Sequence, residues 1–362
     1  MIKKAFWLVL VFAAPCFAAS SSLEQLENTA GGSIREASFA IPSAAVYPAD
    51  TAVIADSPET EMDLKSWAFP LPALPAKTYA EAVKEFAAYR RAKSNGIKNE
   101  DNLPFFLGHG DKTRDTVIMI HGLTDSPWFM RALGEELFQK GYNVIALLLP
   151  GHGTRPEDLF HATKLQWQQE IDRGLNIAAG LGARVSLAGF STGGALALDA
   201  QRRHPELKVE NIFLFSPALA INEAERTKAF LGCQAPWITT HIIGLYSESN
   251  PESILENDPH RYNKMAINGI CQLYYLTRDI KRERTKILER MSSGTRVFAV
   301  ESESDTLVSP GAVTEFINSR RNPSDVYIWY PKADNIAHAD VTRPETNPRF
   351  PELLRKLQMF TY

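Results

Sequence analysis

Three cysteines among 362 residues are too few to staple a fold that lacks a core of its own, which excludes a disulfide scaffold. The apolar run at residues 5–14 (AFWLVLVFAA) has ten members, against about 20 needed to cross a bilayer as a helix. A net charge of −3 with no strongly basic patch argues against a nucleic-acid partner. The chain has no internal repeats, and its Cys and His spacing fits no zinc pattern, so no metal or organic cofactor is expected. What is present is ordinary for a globular enzyme: 44% hydrophobic and 22% charged residues, with 21 Gly and 22 Pro.

The first eighteen residues read as an export signal. Lys3 and Lys4 precede the apolar run, Pro15 breaks it, and Cys16-Phe17-Ala18 places small residues three before and immediately before a cut. Cleavage is expected after Ala18, which makes the mature chain periplasmic or secreted. Acylation of Cys16 is disfavoured, because Pro15 stands where lipoprotein signals carry Gly, Ala or Ser. Removing residues 1–18 takes two lysines and no acids, leaving 37 basic and 42 acidic residues, a net of −5. Cys233 and Cys271 remain, and in an exported chain they are a disulfide candidate. Such a bridge would stabilise by roughly 4 kcal/mol in the chain-entropy model. The alternative is two buried thiols.

Residues 19–103 read as an N-terminal extension, rich in Ser, Ala and Pro, with one helix expected at 78–93. From residue 104 the rhythm becomes strand, turn, helix. Strands are expected at 116–120, 143–149, 184–190, 211–215, 295–300 and 325–330. Helices are expected at 128–140, 163–181, 193–204, 311–320 and 350–360. Short all-apolar runs alternating with helices predict an α/β fold, a mostly parallel sheet covered on both faces. The interval 217–291 interrupts this alternation and reads as an inserted helical cap over the strand C-termini. Within it, residues 278–290 hold six basic and three acidic residues. A solvated helix face accounts for them, and a basic rim touching a membrane surface or an anionic substrate is the other reading.

The chemistry concentrates at Gly189-Phe190-Ser191-Thr192-Gly193, between a predicted strand and a predicted helix. A serine on that tight turn has strained dihedrals and an exposed hydroxyl. It needs a base, and the base needs an orienting carboxylate. Of the histidines after Ser191, His204 ends a helix facing away, and His241 and His260 fall in the cap. His338 follows the last strand. Asp305, after strand 295–300, is the candidate acid, with Glu301, Glu303 and Asp334 as rivals. Acyl transfer also needs donors for an oxyanion. The backbone N–H groups of Thr192 and Leu123 are the candidates, with His121 in structural support.

His121-Gly122-Leu123, Pro150-Gly151-His152-Gly153, Gly189–Gly193, Asp305 and His338 together resemble the α/β-hydrolase superfamily. Within it the chain is similar to bacterial carboxylesterases, monoacylglycerol lipases and lysophospholipases. Residues 116–200 match most closely, and the resemblance covers about 104–362. It implies Ser191 as nucleophile, His338 as base, Asp305 as acid, and Leu123 and Thr192 as the oxyanion hole. The implied reaction is hydrolysis of carboxyl esters with short or medium acyl chains, or of monoacyl lipids. Thioester or small-peptide cleavage, or a non-catalytic binding role, are the alternatives. Two positions depart from the pattern: Ser302 replaces a Gly three residues before the acid, and Ala337 replaces a Gly or Ser before the histidine. Phe230, Leu231, Trp237, Ile238, Leu245, Leu273 and Tyr274 of the cap are candidates for an acyl pocket or for cap packing.

Overall fold

A computed structural model describes residues 77–223, 233, 245–247, 258–291 and 294–362. The expected export signal, residues 19–76 of the extension, and the cap residues Phe230, Leu231, Trp237, Ile238 and His241 lie outside them, as does the side chain of Leu245.

The described chain opens with α1 (Tyr79–Ala92). Thr78 caps it reciprocally: its hydroxyl accepts from Glu81 N, and Glu81 Oε2 accepts from Thr78 N at 2.8 Å. Ala82, Phe86 and Tyr89 recur every three or four residues and are buried. Ala82 fits against Gly180 of α3 (Lys164–Leu181), where an added Cβ would lie 2.7 Å from the Ala82 Cβ. Tyr89 Oη accepts from Leu148 N at 2.9 Å. These contacts join the helix expected within the extension to α3 and to Leu148. Among the described residues, that helix packs into the same core as the sheet, within one compact unit.

The main sheet contains β1 (Phe105–Leu107), β2 (Thr113–Ile120), β3 (Tyr142–Leu147), β4 (Gly182–Phe190), β5 (Val209–Phe215), β8 (Arg296–Ser302) and β9 (Val326–Tyr330). Their order is β1-β3-β2-β4-β5-β8-β9, and all neighbours are parallel except β1, which runs antiparallel to β3. Each parallel strand divides its residues between two cores. Ile118 and Ile120 of β2 join one, which also holds the buried faces of α1 and α3; Val117 and Met119 join the other. The second core is closed by α2 (Arg131–Gln139) and the C-terminal α8 (Phe350–Phe360), through residues such as Leu133 and Leu357. Burial on both faces explains why these strands read as continuous apolar runs.

Between β5 and β8 the described part of the cap holds a two-stranded ribbon, β6 (Leu245–Ser247) with β7 (Lys264–Ala266), then α5 (Ile267–Arg282) and α6 (Arg284–Met291). The ribbon departs from the helical cap expected, because its three-residue strands carry no readable alternation. Cys233 and Cys271 are disulfide-bonded, with Cα atoms 5.4 Å apart, which ties an otherwise distant cap residue to α5. The basic stretch 278–290 is laced with ion pairs, among them Arg282–Asp279 at 3.5 Å and Arg284–Glu315 at 2.6 Å. Among the described residues no helix is long and apolar enough to cross a membrane. The chain between β8 and β9 forms α7 (Pro310–Arg320).

If α1 is integral to the unit, Phe86→Ala should destabilise the protein by about 3 to 5 kcal/mol in urea unfolding, the cost of a large core truncation. A peripheral helix would lose under about 1 kcal/mol.

Candidate active site

The turn from β4 into α4 (Thr192–Arg203) holds Ser191 at φ 52 and ψ −115, a conformation costly for any side chain other than glycine. Neighbours enforce it. Ser191 N donates to Phe215 O at 3.0 Å, and Ala218 N donates to Ser191 O at 2.9 Å. A Cβ on Gly189 would lie 2.2 Å from Gly193 C, and one on Gly193 would lie 2.1 Å from Ile120 O. Only bare backbone at both positions lets α4 begin this close to the end of β2. That approach brings the N-terminus of α4 beside the His121–Leu123 segment. In the first helical turn, the Thr192 N–H has no intrahelical partner, and the positive end of the helix dipole lies there.

His121 is buried and neutral: burial first, then the neighbouring His152, holds its pKa well below the usual value. Its Nε2 accepts from Leu149 N at 3.1 Å, so the ring proton sits on Nδ1 and is donated to Gly122 O at 2.8 Å. Asp125 N also donates to Gly122 O, at 3.3 Å. Two donors therefore fix the carbonyl of the Gly122–Leu123 peptide. Because that peptide is planar and trans, its Leu123 N–H points the opposite way. His152 Nε2 meets the next carbonyl, Leu123 O, at 2.5 Å. From the cap, Tyr262 N donates to Thr124 O at 2.8 Å, and Arg261 Nη2 donates to Thr124 Oγ1 at 2.8 Å. No sequence motif marks these cap contacts. They depend on a fold-back that no local pattern encodes.

Asp305 and His338 are brought together. His338 Nδ1 lies 2.5 Å from Asp305 Oδ2, and the other carboxylate oxygen accepts from Leu307 N and Val308 N at 2.9 and 3.0 Å. Burial acts to lower the His338 pKa. The charge and hydrogen bond of Asp305, with Glu301 and Asp125 beyond, outweigh it and raise the value above the ordinary 6.5. The ring packs 4.9 Å from that of Phe190, next to Ser191 in the chain. No hydrogen bond joins its Nε2 to the Ser191 hydroxyl in this structure.

Two of the rival carboxylates, and the other described histidines after Ser191, are occupied elsewhere. Glu303 accepts from Lys332 N at 2.9 Å, and Asp334 pairs with Arg349 at 3.0 Å. His204 bonds Asp172 at 2.8 Å, and His260 bonds Asp258 and stacks on Trp128 with ring centroids 4.4 Å apart. Ala337 has an ordinary φ of −72, so the missing Gly or Ser costs no strain. Of the candidate pocket residues, Leu273 is buried and Tyr274 half-buried in α5. Among the described residues no group of three or more His, Cys, Asp or Glu is placed to hold a metal ion.

A parallel sheet of this order, with a strained serine between β4 and α4 and a carboxylate–histidine pair after β8 and β9, defines an α/β-hydrolase. The profile of the family described as Hydrolase_4, serine aminopeptidase S33, matches residues 111–334, and the chain belongs to that family. It is 23% identical over 255 residues to a carboxylesterase of Bacillus subtilis (strain 168), covering 70% of this chain and 96% of that protein. To a thermostable monoacylglycerol lipase of Bacillus sp. (strain H-257) it is 32% identical over 104 residues, 29% of this chain and 40% of that one. Among solved structures, one of the metagenome-derived lipolytic enzymes LipS and LipT superimposes with a TM-score of 0.56 at 20% identity. It covers 71% of this chain and 96% of its own. A soluble variant of monoglyceride lipase from Saccharomyces cerevisiae gives 0.52 at 15% identity, covering 72% and 91%. These structural likenesses show the fold. Family and relatives together make the chain a hydrolase of the esterase and lipase type.

The electrostatics of the pair can be tested directly. In Asp305→Asn the attraction is gone and burial dominates, so the His338 pKa should fall below 6.5 in an NMR titration. The stability the pair contributes is complete below the unfolded value near 6.5 and is lost as pH rises through the raised folded value. Asp305→Asn should therefore cost more thermal stability at acid pH than at alkaline pH.

Proposed function

We propose that the protein hydrolyses carboxyl esters, of short or medium acyl chains or of monoacyl lipids, through an acyl-serine intermediate. The observation that carries this reading is the 2.5 Å contact of His338 Nδ1 with Asp305 Oδ2 in a site shared with the strained Ser191 turn. Asp305 holds the imidazole in the tautomer that leaves Nε2 free to accept a proton. Ser191 Oγ attacks the carbonyl carbon as its proton passes to Nε2. The carbonyl oxygen becomes an oxyanion, met by the N–H groups of Leu123 and Thr192. Collapse breaks the bond to the leaving alcohol, whose oxygen takes the proton from the imidazolium. Water then attacks the acyl-serine with His338 again as base. The acid leaves, and Ser191 recovers its proton.

The names of the relatives favour ester and lipid substrates. We place the mature chain outside the cytoplasm, cleaved after Ala18. The Cys233–Cys271 bridge fits an oxidising compartment. The family's own description favours a second reading, release of N-terminal residues from small peptides on the same serine.

Both readings predict that a fluorophosphonate probe labels Ser191 and that Ser191→Ala abolishes labelling and lowers turnover by about 10³-fold or more. A kinetic panel of esters of graded acyl length, a monoacylglycerol and aminoacyl peptides separates them. Ester turnover well above peptide turnover is expected, and the reverse ranking selects the peptidase. An unlabelled protein whose ester turnover survives Ser191→Ala contradicts both.

A further inference from the structure

The end of β8 carries a second carboxyl group that the chemistry above leaves unused. Glu301 lies four residues before Asp305 and is fully buried. Its Oε1 accepts from Ser216 Oγ at 3.1 Å and from Ser302 N at 2.9 Å. Its Oε2 is buried with no hydrogen-bond partner among the described residues. Both partners sit at structural junctions. Ser216, at φ 37, follows β5 and donates its N–H to Val300 O at 2.8 Å. The residue before it, Phe215, accepts the Ser191 N–H. Ser302 donates its hydroxyl to Ile336 O at 2.6 Å, two residues before His338, and accepts from Ser304 N at 3.2 Å. One carboxyl group thus touches the strand end beside the serine turn and the strand end bearing the acid. Through Ser302 it also reaches the histidine loop.

An ionised carboxylate here would bury a charge with one oxygen lacking any donor, which is costly. The titratable groups around it are Asp305 on the loop that follows β8, His338 from the loop after β9, and Tyr327 of β9. Asp125, from the loop after β2, acts on His338 from further off. Of these only His338 can become a cation. Burial first, and then the Asp305 charge, push the Glu301 pKa from 4.5 up to about 8. Glu301 and His338 therefore draw on one coupled set of protons.

Resting on the catalytic reading above, we propose that Glu301 is a positioning residue for the Asp305–His338 pair. As a neutral acid it holds the Ser216 turn and the histidine loop in register; once ionised it adds to the basicity of His338. Glutamine keeps the neutral shape and the acceptor oxygen but removes the ionisation. Aspartate keeps the ionisation on a shorter stem.

The experiment compares the mature protein with Glu301→Gln and Glu301→Asp, measuring kcat and KM for ester hydrolysis from about pH 5 to about pH 10. In the native protein the rise of kcat/KM with pH should be broad and take two steps. Glu301→Gln should show one ionisation, its midpoint lower by about half a unit or more. Its kcat should drop several-fold at alkaline pH with KM unchanged, and Glu301→Asp should restore the second step. Thermal unfolding gives an independent reading. The folded pKa is raised, so native stability attributable to Glu301 falls as pH rises from about 4.5 to about 8. The Gln variant escapes this loss, and its Tm relative to the native protein should climb across that window. Superimposable pH profiles with a constant Tm difference would overturn the proposal. Absence of Ser191-dependent turnover at every pH would overturn the catalytic reading and this role with it. The Tm series would still report whether Glu301 ionises late.

Discussion

Everything at the active face depends on how closely α4 approaches the end of β2. The Gly193 Cα faces Ile120 O with no room for a side chain, and Gly189 faces Gly193 in the same way. With bulk excluded, the chain turns within a few residues from a central strand into a helix, leaving Ser191 at positive φ at the turn. A conformation of this kind costs about 1 to 3 kcal/mol and persists only where the surroundings over-determine it. Here they are the parallel pairing of β4 with β2 and β5, the hydrogen bonds of Ser191 to Phe215 and Ala218, and two cores packed on opposite faces of the sheet.

That constraint sets the placement of the polar groups. The sheet interior cannot solvate charge, so its buried histidines near the site divide by partner. His121 and His152, facing carbonyls and one another, are held neutral and act as struts for the Gly122–Thr124 peptides. His338 faces a carboxylate and is drawn the other way, toward holding a proton. The same residue type thus serves as scaffold at two positions and, in the function proposed above, as a base at a third. The difference lies in which atoms the fold brings within 3 Å or so of each ring. Cap and core meet at Thr124, so the segment that presents Leu123 is gripped from both sides.

Much of this was legible in the sequence. Strands buried on both faces appear as runs such as Thr116–Ile120 and Asn211–Phe215, and the Gly189–Gly193 motif falls between a strand and a helix as required. His338 was separable from the other histidines by its place after the last strand. The chain could not show by itself that Asp305 rather than Glu303 meets the imidazole, because both lie on one loop and only the turn into α7 aims them. The edge strand β1 and the ribbon β6–β7 are three residues each, below the length at which alternation can be read. The place of α1 rests on Gly180 and Leu148, far along the chain. Glu301 looked like a rival acid, and its burial follows from the pairing of β8 with β5 and β9.

In the proposed function a strained serine, a carboxylate-held histidine and two backbone donors converge on one reacting carbonyl. A crystal structure of the protein after reaction with a phosphonate ester would show that convergence. Phosphorus should be bonded to Ser191 Oγ, with one phosphonyl oxygen about 3 Å from both Leu123 N and Thr192 N, and His338 Nε2 within hydrogen-bond reach. Phosphorus on another residue, or a phosphonyl oxygen turned away from both backbone donors, would contradict it.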